Sequence, residues 1–236
     1  MLSLLNRDGF AILPEVLDAP AIARLRAALD LKVVGGENAL TSQRGGNVYA
    51  IRNLLSAPGA VRDLARLPAV RALVESTLGA DAFAVRGIYF DKIVGANWNV
   101  VWHQDLSLAV RARHDLAGWG PWSVKAGIPH VQPPTEVLER MLTVRLHLDD
   151  CGIRNGPLRV LPGTHRMGRI GPQEIVALRK RIPERVCSVP EGGALLMRPL
   201  LLHASSEAEI PGHRRVLHLE FAADPLPPGL AWNEMV

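Results

Sequence analysis

The chain is short of several things that would fix its class at once. Cysteine is scarce: Cys151 and Cys187 are the two in 236 residues, too few for a disulfide framework, so buried free thiols and a cytoplasmic setting are expected. Aromatic residues make up 5% of the chain, and no basic run is interleaved with them as a nucleic-acid stacking platform would require. No stretch approaches the roughly eighteen apolar residues of a membrane span. The first eight residues lack the basic start and long apolar region of a signal peptide. The formal charge is +4 with a pI near 9.5, but the arginines are scattered over every segment. The densest run, Arg179-Lys180-Arg181, falls at the end of an expected helix, where cations suit the helix dipole. Neither nucleic acid nor membrane is therefore expected as a partner.

Hydrophobic residues make up 48%, enough for one sizeable core, and no repeat or low-complexity linker divides the sequence. A single domain over 1–236 is expected, as monomer or homodimer. Asp18 and Pro20 signal the start of a helix whose Ile22, Leu25 and Leu29 share one face. Polar, glycine-rich Gly35–Asn47 reads as a mobile loop, and Val48–Leu55 as a strand. Helices are expected around Gly59–Arg66 and Pro68–Leu78, the second stopped by Gly79. From Ala82 onward short strands dominate, including Met141–Asp150 and the segments around Leu158, Val186, Ala194, Leu200 and Arg214. A helix from Gly171-Pro172 to about Arg181 interrupts them. Between Arg111 and Arg140 lies an irregular stretch with two tryptophans and few charges, read as a lid shaping a substrate pocket. Many short strands with helices mainly at the front suggest a mainly β protein with flanking helices, a double-stranded β-helix of jelly-roll or cupin-like form.

The chemistry concentrates in Trp102-His103-Gln104-Asp105. Residues two apart on a strand share a face, so His103 and Asp105 are expected to aim an imidazole and a carboxylate at one point, with Gln104 turned away. His203 follows a distant apolar run and supplies a third donor. Two histidines and one carboxylate with open positions form the facial set of non-heme Fe(II) oxygenases. Arg214 lies eleven positions past His203, within reach if the chain turns back as the next strand, and a buried guanidinium grips a carboxylate by two hydrogen bonds. Ser205, two beyond His203, adds a hydroxyl on the same face, and Arg215 is the alternative cation should the strand face the other way. Iron beside a carboxylate receptor suggests O2 activation with a 2-oxo acid as co-substrate.

These segments resemble the phytanoyl-CoA dioxygenase family of Fe(II)/2-oxoglutarate oxygenases. The resemblance is carried by Phe90-Asp91-Lys92, Trp102-His103-Gln104-Asp105, Asn155-Gly156-Pro157-Leu158-Arg159-Val160-Leu161-Pro162-Gly163-Thr164-His165, and His203 and Ser205 with Arg214. It implies the same jelly-roll fold, Fe(II) held by His103, Asp105 and His203, and 2-oxoglutarate held by Arg214 and Ser205. It further implies Arg145, Arg52 and Ile88 around the co-substrate, release of succinate and CO2, and use of O2. Because Asp105 is retained, hydroxylation of a small organic molecule is favoured over halogenation. His165 looks structural, His147 and His218 are read as bystanders, and His130 as a lid residue able to touch substrate. Two other classes stay open: a cupin-like isomerase or epimerase working by acid and base alone, and a non-catalytic 2-oxoglutarate- or metal-binding barrel.

Overall fold

The computed structural model describes residues 1–34, 41–44, 46–56 and 59–236. The chain opens with α1 (Leu2–Asp8), β1 (Phe10–Leu13) and α2 (Ala19–Val34), then the hairpin β2 (Thr41–Arg44) and β3 (Asn47–Arg52). Next come α3 (Ala60–Leu64), α4 (Pro68–Leu78) and the long β4 (Phe83–Asp91). Short β5 (Val100–His103) and β6 (Leu108–Ala109) lead to the hairpin β7 (Trp122–Lys125) and β8 (Ile128–Val131), then α5 (Thr135–Glu139). The second half holds β9 (Met141–His147), β10 (Leu158–Val160), α6 (Pro172–Arg181), β11 (Arg185–Cys187), β12 (Ala194–Met197), β13 (His203–Ser205) and β14 (Arg215–Ala222).

The strands form a seven-stranded sheet in the order β1-β12-β9-β14-β4-β3-β2 and a four-stranded sheet in the order β11-β10-β13-β5. Every pairing is antiparallel. These are the two sheets of a double-stranded β-helix. A third, three-stranded sheet, β6-β8-β7, joins the two strands of the expected lid to β6 just before it.

Helices cover the outer face of the large sheet because the odd-even pattern of its strands sends one apolar set outward. Leu142, Val144 and Leu146 of β9 and Leu217, Leu219 and Phe221 of β14 join Ile22, Leu25 and Leu29 of α2 and Val70 and Val74 of α4 in one buried cluster. The α2 stripe is held in register by its start, where Asp18 accepts the Ala21 N–H at 2.8 Å. The opposite face of β9 carries Thr143, Arg145 and His147, and these are buried too. Alternation on β9 therefore separates helix from barrel interior, not core from water. The interior is apolar at one end, where Leu195 and Met197 meet Leu158, Val160, Cys187 and Leu201, and polar at the other. No helix among the described residues is long and apolar enough to cross a membrane.

Two expectations change. Gly35–Asn47 is not all loop, since Thr41–Arg44 pairs with β3; residues 35–40 and 45 lie outside the described residues. Its polar composition suits the outermost strand of a sheet, which buries little and shows no apolar alternation. Likewise Arg111–Arg140 is not wholly irregular. β7 and β8 are joined by Ala126 (φ 51) and Gly127 (φ 76), a two-residue turn with left-handed backbone at both positions. The alanine there hid the turn from a reading based on Asn-Gly or Asp-Gly pairs.

Candidate metal and co-substrate site

His103 and His203 face each other across the β5–β13 pairing, with ring centroids 4.2 Å apart. Each ring is oriented from behind: His103 Nδ1 lies 2.8 Å from the Val101 carbonyl and His203 Nδ1 lies 2.9 Å from that of Leu201. Both Nε2 atoms are thereby left facing Asp105, at 3.7 Å from Oδ1 for His103 and 3.7 Å from Oδ2 for His203. All three donor atoms lie within 4.8 Å of one another. Asp105 is not on the strand as expected. β5 ends at His103, and Asp105 is set by its own N–H bonding the Pro199 carbonyl at 2.9 Å. Gln104 fastens this bend: its amide donates to Gly168 O and Leu200 O at 2.8 and 2.7 Å and accepts the Ile170 N–H at 2.9 Å.

The electrostatics suit a cation. Burial lowers His203 to about 4, so its imidazole is neutral and a lone pair is available. Burial alone would raise Asp105, but His203, His218 and His103 outweigh it and hold the carboxyl at about 2. Its Oδ2 is buried with no hydrogen-bond partner. Two oriented imidazoles and a carboxylate with an unpartnered oxygen match the ligand set of a ferrous ion with open positions.

Beside these three donors lies a cavity of about 270 Å³. On its floor, Arg214 is almost wholly buried, and its guanidinium donates to the Gly156 carbonyl. Asp91 fixes the approach to β14, accepting the Arg214 N–H at 3.0 Å and Tyr89 Oη–H at 3.1 Å. Ser205 lines the same floor and donates to Gly156 O at 3.2 Å. Arg145, buried on β9, donates from Nη1 to His218 Nδ1 at 2.8 Å; burial lowers it to about 10. Nε of Arg145 and Nε of Arg214 are both buried without partners. Ile88 sits between, paired with His218 on one side and Arg52 on the other. Arg215, the alternative cation, points away and forms a two-pronged bond to Asp149 at 2.7 and 2.9 Å.

Sequence reasoning missed Lys92, Arg86, Glu220 and Lys125. Lys92 is fully buried, with Nζ donating to Ser205 Oγ at 2.6 Å and to the Ser206 carbonyl, but to no carboxylate among the described residues. Burial and the neighbouring Arg214 lower it to about 7. The only signal in the sequence was its place in Phe90-Asp91-Lys92. His218 passes Arg145's hydrogen bond on: its Nε2 lies 3.2 Å from Glu220 Oε1, which also accepts from Arg86 at 3.0 Å. His130, expected to touch substrate, is buried and reaches from β8 to Arg86 at 3.4 Å; like His165 and His147 it lies outside the cavity lining.

A family model described as phytanoyl-CoA dioxygenase (PhyH) matches residues 5–216. Among curated proteins, the ectoine dioxygenase of Nocardia farcinica is 23% identical over 93% of this chain and 76% of its own length. The L-proline trans-4-hydroxylase of Streptomyces griseoviridis is 25% identical over 92% of this chain and 83% of its own. The crystal structure of EctD from S. alaskensis with bound Fe superposes with a TM-score of 0.75 at 18% identity, covering 96% of this chain and 77% of that one. A structure of the α-ketoglutarate-dependent epimerase SnoN has a TM-score of 0.70 at 16% identity, covering 94% and 79%. With the fold, the donor set and a family match across most of its length in agreement, the chain belongs to the phytanoyl-CoA dioxygenase (PhyH) family.

Proposed function

We propose that this chain is an Fe(II)- and 2-oxoglutarate-dependent dioxygenase that hydroxylates a small organic molecule. The observation that carries the reading is a pair of neighbouring features in one cavity: the His103, Asp105 and His203 donor atoms within 4.8 Å, and buried cations beside them that lack any carboxylate partner among the described residues. His103, Asp105 and His203 would hold the metal. When bound there, the ferrous ion supplies O2 activation coupled to oxidative decarboxylation of 2-oxoglutarate, with one oxygen atom leaving in succinate and the other in the hydroxylated product.

Arg214 binds the distal carboxylate of the co-substrate, and Ser205 hydrogen-bonds it from the same floor. Lys92 stands behind Ser205, orients its hydroxyl and adds positive charge. Arg145 contributes a second buried guanidinium, held in place by His218, and Ile88 packs against the carbon chain. Neighbouring buried cations such as Arg145 and Arg214 repel one another, so a dianion relieves an unfavourable field as well as filling hydrogen bonds. Arg52, which the family resemblance suggests for the co-substrate, is three strand spacings from Arg145 across β4 and β14, about 14 Å measured along the sheet. It is assigned instead to the cavity mouth.

The test is turnover of 2-oxoglutarate by the Fe(II)-loaded chain, read as succinate. Succinate formation that His103→Ala abolishes, with a raised KM for 2-oxoglutarate in Arg214→Gln, supports the proposal; no 2-oxoglutarate binding under anaerobic metal loading overturns it. A non-oxidative isomerase is disfavoured by the lining of the cavity. It has no tyrosine, and its one histidine outside the donor set, His218, is tied between Arg145 and Glu220.

A further inference from the structure

The cations lining the cavity fall into two groups, each made of neighbours that act on one another. The floor group, Arg145 and Arg214, is accounted for by the co-substrate. The mouth group is Arg52 on β3, Arg86 on β4 and Lys125 on β7, all lining the same cavity. Arg52 donates to Ser42 Oγ at 2.7 Å, has a buried Nε without a partner, and has no carboxylate partner among the described residues. Lys125 turns from the lid into the cavity and donates to Ser107 Oγ at 2.9 Å. Arg86 alone is paired, with Glu220 at 3.0 Å. Burial first, and then Arg86, depresses both Arg52 and Lys125.

Charge arithmetic separates the two groups. The lining has five cations, Arg52, Arg86, Lys125, Arg145 and Arg214, and two carboxylates, Asp105 and Glu220, a balance of 5 − 2 = +3. A divalent metal and a dianionic co-substrate add +2 and −2, so the balance stays at +3. A neutral substrate closing this mouth would strip water from cations that gain nothing in return. An anionic one would satisfy them. The same cavity has apolar walls, Phe90, Trp98, Val100 and Leu106, with Phe90 against Arg145 and Trp98 against Lys92. A cavity of about 270 Å³, shared with the co-substrate, leaves room for only a compact body.

We infer that the substrate is a small organic anion, its carboxylate or phosphate held at the cavity mouth by Arg52 and Arg86 of the large sheet and Lys125 of the lid hairpin, with its apolar part directed toward His103, Asp105 and His203. Held this way, the anion ties the lid to the barrel. This inference rests on the dioxygenase reading for the identity of the floor ligand.

The test is calorimetric titration of the full chain, loaded with redox-inert Zn(II) and saturated with 2-oxoglutarate. The probes are acetate, inorganic phosphate and, as the neutral match, acetamide. One anion site is expected that acetamide does not fill, weakened about tenfold in Lys125→Gln and in Arg52→Gln. Whichever of acetate and phosphate binds more tightly identifies the head group. Absence of a second anion site in the 2-oxoglutarate-saturated protein, or a site indifferent to Lys125→Gln, overturns the inference. Should 2-oxoglutarate itself not bind, the dioxygenase reading fails by itself. The same anion titration on the 2-oxoglutarate-free protein, wild type against Lys125→Gln, then still decides whether the mouth is an anion site. Lys125 is on the lid surface, so its variant tests the site without disturbing the core.

Discussion

Gly156 and Arg214 meet at the floor of the cavity, where the glycine's carbonyl accepts the guanidinium although 58 positions separate them. The glycine has φ +62, and a Cβ there would stand 2.5 Å from the Ser206 carbonyl and 3.1 Å from Lys92 Nζ. One left-handed residue thus lets Arg214 and Ser205 bond a single carbonyl, with Lys92 beside it on Ser205 Oγ and the Ser206 carbonyl.

Gly156→Ala is expected to lower stability by about 1–2 kcal/mol from the left-handed backbone alone. Pushing Ser206 away also disturbs Ser205, so the KM for 2-oxoglutarate should rise. Chemical denaturation and steady-state kinetics on the same preparation check both, and an unchanged KM would remove Gly156 from the co-substrate floor.

His103→Ala and His203→Ala each remove one of the three donors. Loss of iron binding and at least about a hundredfold loss of succinate formation are expected, since disturbing even the residues behind metal ligands costs ten- to hundredfold. Metal content after equilibrium dialysis is the measurement. His147→Ala, outside the cavity lining, should keep its iron.

Lys92 should make co-substrate binding depend on pH. Burial and Arg214 hold it at about 7, with Arg145 adding repulsion and Glu207 opposing it. A dianion bound at the floor favours the ammonium form, so binding takes up a proton and the affinity falls as pH rises above about 7. The KM for 2-oxoglutarate should therefore climb between pH 7 and 9 in the wild type. In Lys92→Met it should be higher at pH 7 and flatter; an equal slope in both proteins would refute the role.

Asp149 should contribute to acid sensitivity. Burial raises it, but hydrogen bonds from the Arg215 side chain and backbone outweigh this, with Arg26 helping, and the net shift is downward. A depressed carboxyl stabilises the fold above its unfolded pKa of about 3.9 and loses that contribution as pH falls through the folded value. Asp149→Asn is expected to be less stable at neutral pH and to show a shallower loss of stability below about pH 4, measured by thermal melts across pH.

The sequence by itself determined the layers and the donors. Apolar spacing in Ile22, Leu25 and Leu29 and the Pro68–Leu78 helix set the outer cover, and alternation in Met141–His147 and Arg215–Ala222 set the large sheet. These were legible because periodicity is a local property. The residue types at 103, 105, 203 and 214 were legible because few chemistries need that set. Only the tertiary structure decided that Asp105 reaches His103 and His203 from a bend instead of a strand, since that bend is held by Pro199 and, through Gln104, by Gly168, Leu200 and Ile170. It alone brought Lys92 behind Ser205, and gathered Arg52, Arg86 and Lys125 at one mouth from three strands. A lone arginine or lysine in a sequence looks like any solvated side chain. Burial and the absence of a partner, which give it a task, exist only once the chain is packed.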